Sequence, residues 1–322
     1  MAILSSLPCL IIGFARKDGV LRTIETLGRT GINEIYLAID GPRNQTQALL
    51  QEEIIWAATA LAKSNGISLS IWKRTTNLGV AASVITAIDW FFSKVENGLI
   101  LEDDLYFDEQ LITFATSALS VYENDKDIWI ISGSNFCPEL TPTNMVSWCT
   151  YPLIWGWATW KDRWSEMRES FSSPWKYGRI DPDMAVENFW RTGFERSHAG
   201  KIDTWAAPLA AVQHARKKLT VIPPVNLVGN IGADDEASHT KSGGQHMYMS
   251  IQKLSEGINY QDEKNQIAYR KTDLLLNQLV FNISARNRLS FVLARIFDWV
   301  RYPKLKRRAP LSERINLSAD DY

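Results

Sequence analysis

Continuous apolar runs alternate with helix-period segments through the first 135 residues. Pro8 to Phe14 carries no polar interruption and predicts a buried strand. Val20, Leu21, Ile24 and Leu27 then recur at three- and four-residue spacing as far as Gly28, which predicts a helix. The alternation continues with a strand over Glu34 to Asp40, a long helix over Gln45 to Lys63, a strand over Ile67 to Lys73 and a helix over Val80 to Lys94. Leu99-Ile100-Leu101 reads as the end of a buried central strand, and Ile128 to Ile131 as another. Strands alternating with helices predict βαβ units, so the expected fold class is α/β, a Rossmann-like, mostly parallel sheet flanked by helices.

The second half is less regular. Trp148 to Trp164 contains Trp at 148, 155, 157, 160 and 164, and two of them flank Gly156. That spacing suits a tight backbone and a flat aromatic wall made by Trp155, Gly156 and Trp157, either holding an acceptor sugar or forming core beneath a lid. Residues 180–217 carry helical patterns, with Asp203 expected to open the helix DTWAAPLAAVQHARKK. Leu219 to Pro223 predicts a short strand, and Asn226 to Thr240 a Gly- and acid-rich loop. Residues 258–280 look helical. Leu289, Val292, Leu293, Ile296, Phe297 and Val300 then share one helix face, and Arg301, Lys304, Lys306, Arg307 and Arg308 follow. An amphipathic helix ending in a basic cluster makes 288–308 a candidate for peripheral contact with an anionic membrane surface. The alternative is packing on its own domain with a solvated charge run.

Composition narrows the classes. The 322 residues hold 35 Lys plus Arg against 36 Asp plus Glu, so no global field attracts nucleic acid. Three Cys cannot all pair within one chain; Cys9 reads as a buried thiol, Cys137 and Cys149 flank a loop, and a reducing cytoplasm is the simplest setting. The stretch LPCLIIGF is short and runs straight into Arg16-Lys17-Asp18, which reads as a first strand and not a signal peptide. No apolar segment is long enough to span a bilayer.

The chemistry concentrates where the central strand ends. Glu102, Asp103 and Asp104 follow Leu99-Ile100-Leu101, and apolar residues resume at Leu105, Tyr106 and Phe107. Three adjacent carboxylates at the tip of a buried strand raise one another's pKa, and desolvation adds to the penalty. A hard divalent cation, Mn²⁺ or Mg²⁺, removes that conflict and commonly bridges to phosphates. The acids also fall at the carboxyl end of a strand, where open α/β sheets bind their ligands. The bland alternative is a solvated turn.

Glu102-Asp103-Asp104-Leu105 resembles the acidic metal motif of GT-A fold glycosyltransferases, in particular bacterial nucleotide-sugar transferases of the family 2 and N-acetylglucosaminyltransferase EDDL type. Phe14-Ala15-Arg16, Asp40-Gly41-Pro42, Asn77-Leu78-Gly79, Trp155-Gly156-Trp157, and Asn230-Ile231-Gly232 through His239-Thr240 fit the same picture, covering about residues 8 to 240. The resemblance implies a GT-A domain over 1–257, with a nucleotide-binding half (1–135) and an acceptor half (136–257), followed by a helical basic extension (258–322). It implies a metal-dependent, inverting transfer from a nucleotide-diphosphate sugar donor to a glycan or glycoconjugate acceptor, at the cytoplasmic face of a membrane or in the cytoplasm. It also distributes roles. Asp104 and His239 would ligate the metal, and Arg16, Asp40, Arg74, Asn77, Glu102 and Asp103 would hold the donor. Asp203 would take the acceptor's proton, with an ordinary helix N-cap as its alternative role. The motif here is Glu-Asp-Asp and not Asp-x-Asp, and Lys201 and Ile202 stand where many relatives carry another acid. Two rival readings remain: a sugar nucleotidyltransferase, for which Phe14-Ala15-Arg16-Lys17-Asp18-Gly19 is a poor phosphate loop, and a carbohydrate-binding protein on a degenerate scaffold.

Overall fold

A computed structural model describes residues 7–140, 143–231, 249–260, 266–283 and 309–316. The first half alternates as its apolar pattern dictates: β1 (Cys9–Gly13), α1 (Lys17–Arg29), β2 (Glu34–Ile39), α2 (Gln45–Ser64), β3 (Ser68–Lys73), α3 (Val80–Phe92) and β4 (Asn97–Glu102). β5 (Leu105–Phe107), α4 (Glu109–Val121) and β6 (Ile128–Ser132) follow. The second half adds β7 (Ser147–Cys149), β8 (Trp157–Trp160), α5 (Lys161–Ser172), α6 (Met184–His198), α7 (Ala206–Arg216), β9 (Leu219–Ile222) and β10 (Val228–Asn230). Beyond them lie α8 (Gln266–Leu279) and a short C-terminal helix, α9 (Leu311–Asn316).

Eight strands make one sheet in the order β3-β2-β1-β4-β8-β6-β9-β7. β1, β2, β3 and β4 are mutually parallel and β6 runs parallel to β9, whereas β8 and β7 pair antiparallel to their neighbours. This is the mostly parallel α/β layer that the periodicity predicts. Helices cover both faces, which explains why the central strands lack polar alternation. On β1, Leu10 and Ile12 enter the core that includes α3, while Cys9 and Ile11 enter the core that includes α1 and α2.

Three expectations are corrected. Asp203 does not open a helix: α7 begins at Ala206, with Trp205 in the N-cap position. Residues 258–260 are not helical; Asn259 bridges Met145 in a parallel pairing, Tyr260 stacks on Phe114, and the described helix of this segment is Gln266–Leu279. Trp155, Gly156 and Trp157 do not form one wall. Trp157 is a buried strand residue stacked on Trp205 at 5.9 Å, whereas Trp155 is only half-buried and meets Phe136 edge-on at 5.1 Å. Gly156 has φ of 57°, a left-handed conformation that costs a residue with a Cβ. That bend, closed by Gly133 N–H donating to Gly156 O at 2.7 Å, lies between the two tryptophans.

The C-terminal segments pack on this body. α8 lies against β7, and α9 against α3, α5 and α6, with Leu311 and Ile315 fully buried. The amphipathic stretch 288–308 and His239 lie outside the described residues. Among the described residues no helix is long and apolar enough to cross a membrane. Cys9, Cys137 and Cys149 are free and buried.

Candidate active site at the carboxyl edge of the sheet

The loops that follow β1, β2, β3 and β4 meet at one edge. β4 pairs with β1 from Cys9↔Leu99 to Ile12↔Glu102, so the register carries the acids level with the end of β1. Asp103 N–H donates to Ile12 O at 3.1 Å, and the Asp103 carboxylate reaches back across the edge. Its Oδ2 accepts from Phe14 N–H at 2.9 Å and its Oδ1 from Arg16 Nη1 at 3.2 Å. The same Arg16 nitrogen lies 3.3 Å from Asp104 Oδ2, so one guanidinium bridges the two aspartates. Gly19 makes this closeness possible, because a Cβ there would collide with the Asp103 carbonyl oxygen.

Among the described residues Arg16 is the cation that bridges these acids, and burial dominates their electrostatics. Burial, then the charges of Asp104 and Asp103, push the Glu102 carboxyl up to about 8, against a smaller opposing pull from Arg16. Asp103 is pushed up to about 6, chiefly by burial, although the Phe14 amide and Arg16 favour its anion. β10 closes the site on its far side: Asn230 pairs with Leu105, and Ile231 N–H donates to Asp104 O at 2.9 Å. The expected Gly-rich loop therefore enters directly beside Asp104.

Asp40 ends β2 at the same edge, buried, with both oxygens turned to the loop after β3. Oδ1 accepts from Leu78 N–H at 3.0 Å, and Oδ2 from Asn77 Nδ2 at 2.9 Å and Gly79 N–H at 3.3 Å. Burial raises its pKa, with the amides of Leu78, Gly41 and Gly79 and the charge of Arg74 opposing. Asn77 also donates to Gly41 O at 2.9 Å, so the Asp-Gly-Pro and Asn-Leu-Gly stretches form one joined structure. A residue that the sequence pattern did not single out completes the join. Gln51, on the inner face of α2, donates from Nε2 to Phe14 O at 3.1 Å and to Asp40 O at 2.8 Å. A fully buried polar side chain on an otherwise apolar helix face was its only signal.

Other expected donor and acceptor residues lie differently. Arg74 is buried, hydrogen-bonded to Thr86 of α3 and stacked over Trp72 at 3.7 Å, so its guanidinium points under the edge rather than across it. Asp203 lies behind the Asn77–Gly79 turn. Its Oδ2 accepts from Val80 N–H at 2.9 Å and its Oδ1 from Ala81 N–H at 3.3 Å, so it caps α3, with Arg314 Nη1 at 2.9 Å completing the set. Those donors engage three of the roughly four lone-pair positions of a carboxylate. β4 pairs with β8 up to Ile100↔Trp157, and the chain bends away from that pairing at Gly156, just before Trp157. Trp155 lines an apolar cavity of about 560 Å³ with Phe136, Leu153, Ile154, Phe189 and Ala207.

The acid trio has the donor chemistry of a hard-cation site, carboxylate oxygens gathered at a strand end. Among the described residues no group of three or more His, Cys, Asp or Glu side chains converges in metal-binding fashion, and the acids that stand together are the pair Asp103 and Asp104 on either side of Arg16 Nη1.

The sequence matches no protein-family model and no curated protein. Among solved structures, UDP-glucose pyrophosphorylase complexed with UDP-glucose matches at 10% identity and a TM-score of 0.36, over 66% of this chain and 90% of that one. At that level neither activity nor ligand transfers from one protein to the other.

Proposed function

We propose that this chain is a glycosyltransferase that moves a sugar from a nucleoside-diphosphate donor to a hydroxyl of a glycan or glycoconjugate. The observation that carries the reading is the cluster of Glu102, Asp103 and Asp104 at the carboxyl edge of the parallel strands, with Arg16 bridging the two aspartates and the Glu102 carboxyl pushed up to about 8. A buried excess of negative charge is costly unless a cationic partner arrives with the ligand.

In this reading Arg16 and the turn braced by Asp40 and Asn77 bound the nucleotide side of the edge. Asp104 and Asp103 would hold a divalent cation, Mn²⁺ or Mg²⁺, which when bound supplies Lewis-acid neutralisation of the leaving diphosphate. Trp155 faces the acceptor side. Asp203 is given a holding role, since its oxygens are engaged at the start of α3. The proton of the attacking hydroxyl is assigned instead to Glu102, the acid that ends β4 and whose carboxyl burial and the neighbouring aspartates push up to about 8. Two observations favour transfer over nucleotidyl transfer. The loop after β1 is only Phe14-Ala15-Arg16, and its first amide and its arginine are already bound to Asp103, which leaves no Gly-rich cradle for a triphosphate.

A thermal-shift screen of nucleotide sugars with and without Mn²⁺, followed by donor-hydrolysis and transfer assays, tests this. Glu102→Gln is expected to keep donor binding and to lose transfer by about 10²-fold or more. A variant that transfers at the wild-type rate removes Glu102 from the chemistry. Turnover of a nucleoside triphosphate with a sugar phosphate selects the nucleotidyltransferase, and binding without turnover selects the carbohydrate-binding alternative.

A further inference from the structure

The turn between β3 and α3 is gripped by carboxylates from two sides. Asp40 takes the amides of Leu78 and Gly79 from the edge side, and Asp203 takes those of Val80 and Ala81 from behind. The rear grip is completed by a residue 111 positions further along the chain than Asp203: Arg314 of α9 donates from one nitrogen, Nη1, to Asp203 Oδ1 at 2.9 Å and to Leu78 O at 3.1 Å. Leu78 is therefore held at both ends of its own backbone, with its N–H on Asp40 and its carbonyl on Arg314. Both members of the ion pair are shielded, with side-chain exposures of 9% for Arg314 and 15% for Asp203.

The placement is expensive for stability alone. Among the described residues Arg314 Nε and Nη2 are buried with no hydrogen-bond partner, and an incompletely satisfied buried guanidinium costs free energy that an apolar side chain of similar size does not. Its neighbours Leu311 and Ile315 already anchor α9 by full burial. What Arg314 adds is not more burial but a fixed position for the Leu78 peptide.

We infer that Arg314 is a positioning residue of the nucleotide-side edge. Through Asp203 and the Leu78 carbonyl, the C-terminal helix sets the turn on which Asp40 is aligned, and so sets affinity for the nucleoside diphosphate from outside the site. The inference rests on the proposed donor-binding edge for its functional consequence, and on the two hydrogen bonds of Arg314 for its structural one.

The test uses the full chain and three variants, Arg314→Gln, Arg314→Lys and Ile315→Ala. UDP binding is measured by calorimetry with Mn²⁺ present, and the backbone amides of residues 78–81 by hydrogen exchange. Arg314→Gln is expected to weaken UDP binding about tenfold and to speed exchange at 78–81 by a similar factor, the size of coupling carried by intermediates between sites. Arg314→Lys, which keeps a charge that can bridge both oxygens, is expected to recover most of each loss. Ile315→Ala is expected to lower the melting temperature while leaving UDP affinity and the 78–81 exchange pattern in place. The inference is overturned if Arg314→Gln leaves exchange at 78–81 unchanged, if it binds UDP as the parent does, or if Ile315→Ala reproduces its effects. Should the parent chain bind no nucleoside diphosphate, the transferase reading falls by itself, and the exchange rates alone decide whether Arg314 positions the turn.

Discussion

Two buried clusters of ionisable groups sit in this molecule, and they are built on opposite principles. At the sheet edge, Asp103 and Asp104 share the guanidinium of Arg16 beside Glu102, and the carboxyls of Glu102 and Asp103 are pushed well above the ordinary range. In the second half, Asp181, His214, Thr150 and Asp273 form a closed chain. His214 Nε2 lies 2.8 Å from Asp181 Oδ2 and its Nδ1 lies 2.6 Å from Thr150 Oγ1. The Thr150 amide and hydroxyl both donate to Asp273, each at 2.8 Å. That chain ties the segment before α6, helix α7, the end of β7 and helix α8 together, and the ring of His214 stacks on Tyr151 at 5.1 Å. Both Asp273 oxygens accept from Thr150 and Asp181 Oδ2 meets His214, so the contacts of this cluster close within the fold, even though burial pushes Asp273 up to about 6. An internally satisfied network holds elements in place, whereas one left with surplus charge at an open edge is prepared for something that arrives from outside.

Three experiments would break this contrast, the most severe first. Asp104→Asn removes the acid that shares Arg16 with Asp103. It is expected to abolish the donor-induced thermal shift and to cut transfer by about 10²- to 10³-fold, while the midpoint in denaturant stays the same or rises. A variant with unchanged transfer would make the edge cluster as structural as the other one. Thr150→Val, by contrast, removes the hydroxyl that links His214 to Asp273 without changing shape. Urea unfolding is expected to show a loss of about 1–3 kcal/mol, with donor affinity unmoved. If donor affinity falls with stability, the two clusters are coupled and the distinction fails.

The mildest consequence is a pH dependence. Glu102 titrates near 8 in the fold against an ordinary 4.5, and Asp103 near 6 against 3.8. Between those limits the folded chain holds more protons than the unfolded one, so stability without ligand is greatest at the acid end and declines as pH rises. Asp273, pushed up to about 6 by burial, adds to the slope at the acid end, which leaves the window from about 6 to about 8 to Glu102. Glu102→Gln is expected to flatten the decline of the denaturation midpoint there, and an equal slope in both proteins would show that the edge carries no protonation penalty.

Much of the first half was legible from one dimension. Unbroken apolar strands and helix-period segments are local properties, and they predicted β1 to β4 and their helices to within a few residues. The acids at the end of β4 were legible too, because a charged triplet between apolar runs is anomalous at any tertiary arrangement. Residue roles that depend on what arrives from elsewhere in the chain were not. Trp155 and Trp157 share a spacing that suggests one wall, but with the left-handed turn at Gly156 between them Trp157 is buried on Trp205 while Trp155 stays half-buried against Phe136. Asp203 looks like the first residue of a helix and is the cap of another one, more than a hundred residues earlier in the chain.

The sequence by itself determined the layer, the strand ends and the place where negative charge accumulates, since periodicity and local charge need no partner to be read. Only the tertiary structure decided which carboxylates were left with surplus charge and which were consumed in holding the fold. A side chain's hydrogen-bond partners are set by packing between distant segments: Arg16 reaching Asp103, Gln51 joining two loops, Arg314 returning to Leu78.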